Sequence, residues 1–188
     1  GVEDRLARVD NNGHGGNMAE LKIIHSNMMA YVAKKALAEV YPNERPYIIN
    51  RAGFAGIQRY AQVWGGDNLT WDTLKYNIAT IIGMGLSGVA NMGCDIGGFA
   101  GGAPEGELLL RWIQSGIFQP RFCMNSANND NTVTQAFMYD EYMSEVREAY
   151  ALRYKMIPYM YSLMREANLN GTPVMRPLFM EFPDDVNT

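Results

Sequence analysis

The chain has 188 residues, with 16 Lys and Arg against 20 Asp and Glu, for a formal net charge of -4. Apolar residues make up 47% and charged residues 19%, a balance that suits a globular protein with a true core and excludes a disordered chain. Cys94 and Cys123 are too few for a disulfide scaffold, and no apolar run approaches the roughly 20 residues of a membrane-spanning helix. Mild acidity without a Lys/Arg cluster argues against nucleic acid as the main partner.

Residues 1–19 start without Met and are polar and rich in Gly and Asn as far as Asn17. They read as a loop entering from a missing N-terminal part, so the chain is expected to be a piece of a larger one. Leu21, Ile24, Met28, Val32 and Ala36 recur at steps of three and four, which predicts an amphipathic helix over 21–41 with those residues facing the core. Pro46 cannot continue it. Tyr47 to Arg51 reads as a short buried strand, followed by a Gly-rich loop from Ala52 to Asn68. Thr70 is placed to cap a helix running through Trp71, Leu74, Ile78 and Ile81 to about Met84.

Gly88 to Asp95 reads as a second strand with polar residues at its C-terminal end, and Ile96 to Ala103 as a loop containing the Gly97-Gly98 pair. Pro104 suits the first turn of a helix that extends to about Ser115, with Glu105 and Glu107 at its positive end. Phe118 to Met124 reads as a third strand and Asn125 to Thr134 as a polar loop. A long helix is predicted over 140–168, kinked at Pro158 and capped by Gly171, with Met143, Val146, Tyr150, Tyr154 and Ile157 on its packed face. Pro173 to Phe182 reads as a fourth strand. Four strand–loop–helix repeats imply a parallel sheet covered by helices, either doubly wound or half of a (β/α)8 barrel. In both, ligands bind at the C-terminal ends of the strands.

Most familiar chemistries are absent. His14 and His25 are the only histidines and have no Cys partner at ligand spacing, so no metal is expected. There is no Gly-x-Ser-x-Gly elbow. Gly83, Gly85 and Gly88 spell Gly-x-Gly-x-x-Gly, but they close a helix rather than open one, which reads as a helix stop and not a dinucleotide loop. What remains is carboxylates among aromatics and glycines. Asp67 follows Trp64-Gly65-Gly66, Asp95 precedes Ile96-Gly97-Gly98-Phe99, and Arg51 ends the first strand. Sugars suit such a setting, because their C–H faces pack on aromatic rings and their hydroxyls bond Asp and Arg. Glycoside cleavage requires one carboxylic acid at the leaving oxygen and a second carboxylate across the bond. The same two residues equally suit a role in capping helices or holding loop backbone.

Asn50-Arg51-Ala52-Gly53-Phe54-Ala55-Gly56-Ile57-Gln58-Arg59-Tyr60, followed by Trp64-Gly65-Gly66-Asp67-Asn68, closely resembles the signature of glycoside hydrolase family 31, the α-glucosidase and α-xylosidase family. The likeness continues, in the family's order, through Gly93 to Phe99, Leu109 to Trp112, Leu152 to Tyr154, Ile157 to Tyr159 and Pro173 to Leu178. It implies a (β/α)8 barrel of α/β class, with this chain supplying about the C-terminal half, roughly strands five to eight. It implies Asp67 as the catalytic acid/base, Arg51, Trp64 and Asp95 as glycone-binding residues, and Phe99 as a wall of that pocket. No metal or organic cofactor is required. The implied partner is an oligosaccharide or α-glycoside, with no role for nucleic acid or membrane.

Two departures stand out. The family's nucleophile is an Asp in Trp-x-Asp-Met, a motif these residues lack, so it is expected upstream and the chain alone is expected to be inactive. Asn125 stands where a hydroxyl-binding His is expected, and Ala127 where many relatives have Trp. Asn exchanges hydrogen bonds but carries no charge, which implies either a non-glucose substrate or a weakened site. A half barrel exposes sheet edges and apolar surface, so self-association or assembly with the missing half is expected. The alternatives are a sugar-binding fragment without catalysis and a transglycosidase on the same fold.

Overall fold

Asn17 opens the first helix through a reciprocal cap. Its side-chain oxygen accepts from the Glu20 backbone N–H at 3.2 Å, and the Glu20 carboxylate accepts from the Asn17 N–H at 3.1 Å. Helix α1 therefore spans Met18–Val40, starting before the apolar periodicity does. The computed structural model describes residues 4–66, 68–130 and 132–188. Within it the chain forms two units, Gly1–Val63 and Trp64–Thr188.

In the first unit, α1 is followed by strand β1, Ile49–Asn50, a 3-10 turn at Ile57–Arg59, and strand β2, Gln62–Gly65, which runs on into the second unit. β1 pairs parallel with β2, Ile49 opposite Gln62 and Asn50 opposite Val63. β2 lies where a loop is expected from the sequence. Its four residues sit between glycines and a polar turn, too short a run for alternation to register. The packed face of α1 also differs from the predicted one. Ile24, Met28 and Val32 are exposed, whereas Asn27 and Ala30 are buried. Polar pairing sets this rotation: Asn27 Nδ2 donates to the Phe54 and Ala55 carbonyls, both at 3.2 Å, and Asn27 Oδ1 accepts from Phe54 N–H at 2.9 Å.

The second unit holds α2 (Trp71–Leu86), β3 (Met92–Cys94), β4 (Ala100–Gly101), α3 (Gly106–Gly116), β5 (Ala127–Asn128) and α4 (Met143–Asn170). Thr70 caps α2 as expected, its hydroxyl accepting from Thr73 N–H at 3.1 Å. Gly83 and Gly85 lie inside α2 and Gly88 in the turn after it, so the triple-glycine spelling is a helix stop. Pro104 stands before the Glu105 cap of α3 rather than in its first turn. α3 carries the core of this unit, with Leu108, Leu109, Leu110, Trp112 and Ile113 buried. α4 passes through Pro158 and ends at Gly171, whose φ of 78° is the left-handed cap. A 3-10 turn, Asp140–Tyr142, precedes it. Val146, Ala149 and Met160 are buried on α4, while Tyr154 and Ile157 point to solvent.

Two expected strands are not strands. Residues 118–124 contribute a single parallel bridge, Asp95 to Cys123. Pro120 cannot donate to a ladder, and the carbonyls of Ile117, Gln119 and Pro120 accept instead from the Arg153 guanidinium at 2.8, 2.8 and 3.2 Å. Residues 173–182 form a 3-10 turn at Leu178–Met180, where Pro173 and Pro177 remove two donors. β4 and β5 pair parallel, Ala100 with Ala127 and Gly101 with Asn128.

Candidate active site

In the second unit, parallel neighbours bring polar side chains to one end of the strands. The Asp95 N–H donates to the Gly65 carbonyl at 3.1 Å, so the end of β3 lies beside the end of β2. Asp95 is 1% exposed, and its Oδ1 accepts from Arg121 Nη1 at 2.8 Å. The Arg121 guanidinium also lies over the Trp64 ring, 5.5 Å from its centroid, within cation–π range. Asp95 and Trp64 are thus brought together through one cation.

The neighbourhood is built around backbone contact. Gly66 has φ of 90°, and a Cβ there would lie 2.8 Å from the Cys94 Cβ and 2.9 Å from Asn77 Nδ2. Only glycine fits the turn that leads to Asp67. Asp67 itself lies outside the described residues. Asn68, after it, bridges parallel to Ala100. A cavity of about 700 Å³ opens beside Gly66 and Asn68 along α2, bounded there by Asp72, Thr73, Tyr76 and Asn77.

Beneath Asp95, Cys94 is enclosed. Its backbone N–H and its thiol both meet Gln119 Oε1, at 3.2 and 3.3 Å, and Trp112 Nε1 donates to its sulfur at 3.5 Å. Burial raises the Cys94 pKa above the ordinary value of 9.0, although the bonds from Trp112 and Gln119 act in the other direction. This thiol is a packed neutral group and not a nucleophile.

Phe99 is half-buried, and its carbonyl accepts from the Ala127 N–H at 2.7 Å. Asn125 is exposed between the Cys123 bridge and β5. Arg51 belongs to the first unit, exposed in the bend just after β1. Sequence reasoning missed Arg121, which lies in the run Phe118-Gln119-Pro120-Arg121-Phe122. Its signal was there to read: Arg121 is the one charge in that strand-like run, and such a charge is rarely buried without a partner.

Among the described residues, no group of three or more His, Cys, Asp or Glu is arranged to hold a metal ion, and no helix is long and apolar enough to cross a membrane.

The chain matches the family model described as the glycosyl hydrolases family 31 TIM-barrel domain over residues 3–163. It is 41% identical over 180 residues to alpha-glucosidase 2 of Bacillus thermoamyloliquefaciens, a span covering 95% of this chain and 23% of that protein. It is 46% identical over 147 residues to a probable glucan 1,3-alpha-glucosidase of Oryza sativa subsp. japonica, covering 77% of this chain and 16% of the relative. The chain therefore spans less than a quarter of the length of these curated relatives. Among solved structures it is similar to a Flavobacterium johnsoniae family 31 dextranase complexed with glucose, with a TM-score of 0.84 and 29% identity over 92% of this chain and 22% of that one. It is likewise similar to an alpha-xylosidase of the same family from a soil metagenome, complexed with xylose, with a TM-score of 0.81 and 28% identity over 92% of this chain and 29% of that one.

Proposed function

Given that the chain belongs to glycoside hydrolase family 31, through its (β/α)8 TIM-barrel domain, we propose that it supplies about the C-terminal half of the barrel, roughly strands five to eight, of a retaining α-glycosidase of α-glucosidase type. In this reading Asp67 donates a proton to the leaving glycosidic oxygen. An Asp outside these 188 residues attacks the anomeric carbon and forms a glycosyl-enzyme. Asp67 then takes a proton from water, which releases the sugar, the two carboxyls standing about 5–5.5 Å apart. Arg51, Trp64, Asp95, Phe99 and Asn125 bind the glycone. The substrate is an oligosaccharide or other α-glycoside, and the chemistry needs no metal or organic cofactor.

One observation carries the reading. The buried Asp95 carboxylate and the Trp64 ring stand together at the C-terminal ends of adjacent parallel strands, the rim at which barrel enzymes bind ligands. Trp64 leads within three residues to Asp67.

The test is hydrolysis of a panel of α-glycosides by the full-length enzyme and by its Asp67→Asn variant. The variant is expected to lose most on substrates with poor leaving groups, which need the proton, and least on nitrophenyl glycosides. Equal loss across leaving groups rejects the proton-donor role. The 188-residue chain alone is expected to turn over none of them.

A further inference from the structure

Asp95 and Trp64, which the proposed function sets against the sugar, are both held by a side chain to which that function gives no role. Arg121 is 8% exposed and Asp95 1%, so their 2.8 Å contact is a fully enclosed ion pair and not a surface bridge. The same guanidinium lies 5.5 Å from the Trp64 ring centroid. The backbone around it is tied down. Asp95 bridges to Cys123, and the Ile96 N–H donates to the Cys123 carbonyl at 2.9 Å, so residues 121–123 are registered against residues 95–96. Gly93 has no side chain, and one built there would meet the Arg121 carbonyl oxygen, so the close approach depends on that glycine.

We infer that Arg121 is the positioning residue of the glycone pocket: it fixes the Asp95 carboxylate in one orientation and holds the Trp64 indole beside it. The inference rests on the glycosidase reading above and deepens it. As a source of stability an enclosed ion pair is poor, because desolvation offsets most of the attraction. As a device for orientation it is effective, because a charge-assisted bond is short and directional, and the planar guanidinium presents an edge to a carboxylate and a face to a ring. A carboxylate that must accept a bond from one particular hydroxyl needs that orientation in advance of binding.

The experiment is a double-variant cycle on the full-length enzyme, reading kcat and KM on a nitrophenyl α-glucoside, the inhibition constant of a glucose-like iminosugar, and the thermal midpoint. Arg121→Met is expected to raise KM and the inhibition constant by on the order of 10- to 100-fold, the size of one charge-assisted bond, with a smaller change in kcat. Arg121→Lys, which keeps the charge and secures a folded comparison, is expected to recover part of that loss. Asp95→Asn combined with Arg121→Met is expected to lose much less than the product of the two single losses, because Arg121 acts chiefly through Asp95 and has only its contact with Trp64 left to lose. Losses that multiply in the double variant overturn the inference. So does an Arg121→Met or Arg121→Lys enzyme with wild-type KM and only a lowered midpoint. Wild-type enzyme inert towards every α-glycoside overturns the glycosidase reading and this inference with it, whereas an active wild type with multiplying losses overturns the role of Arg121 alone.

Discussion

Gly93 and Arg121 fit only because one of them has no side chain. A Cβ on Gly93 would run into the Arg121 carbonyl oxygen and lie 2.7 Å from the Arg121 Cβ. β3 is fully buried at this point, so the backbone has little room to yield. Gly93→Ala is expected to destabilise the fold by about 1–3 kcal/mol, the usual cost of overpacking. Thermal or denaturant unfolding measures it; an unchanged midpoint would contradict the tight approach.

Arg153 closes the carbonyls of Ile117, Gln119 and Pro120 with one guanidinium, and its Cζ lies 5.5 Å from the Phe122 ring centroid. Burial lowers its pKa from the ordinary value, but an arginine remains charged at any working pH. Arg153→Met leaves those carbonyls without their partner and is expected to cost about 3 kcal/mol, each unsatisfied buried group costing roughly 1–3 kcal/mol. Arg153→Lys should recover only part, since an ammonium cannot serve three acceptors with the geometry of a planar fork. Chemical denaturation of the two variants ranks them.

Asn27 pins the segment after Arg51 by holding Phe54 and Ala55 to α1. Asn27→Leu keeps the side chain's bulk but removes all three bonds. Faster tryptic cleavage at the exposed Arg51 is the expected outcome, at little cost to the rest of the fold. An unchanged digestion rate would show that other contacts hold the loop.

The two thiols should differ in reactivity. Cys94 is 1% exposed with a raised pKa, whereas Cys123 is only half-buried. Iodoacetamide at pH 8 is expected to label Cys123 first and Cys94 only on unfolding. The sign of the pH effect follows. Because the folded state holds the Cys94 proton more tightly than the unfolded state does, its contribution to stability is complete below the unfolded thiol value and is lost as pH rises above it. Tyr150, raised chiefly by burial, acts in the same direction at still higher pH. Denaturation midpoints should therefore fall on the alkaline side of about pH 9, and less steeply in a Cys94→Ala variant.

Much of the helical framework was legible in the amino-acid order. The Thr70 cap, the Gly171 stop and the reading of Gly83, Gly85 and Gly88 as a helix end all follow from local chemistry that a few consecutive residues carry. The short strands were harder. β1, β4 and β5 have two residues each, and β2 has four. No periodicity can be read from runs so short, and their pairing depends on residues far away in the chain.

By itself, the sequence determined that Thr70 opens α2 and Gly171 closes α4, and which motifs set carboxylates behind glycines near aromatic rings, because capping and turn formation act over a handful of neighbours. Tertiary structure alone decided that α1 packs through Asn27 rather than through its apolar stripe, that Arg153 takes the carbonyls a third strand would have used, and that Arg121 meets Asp95 across 26 positions. Each of these is a buried polar group finding the partner that its desolvation demands, and a linear pattern records that the group is there without recording what it will face.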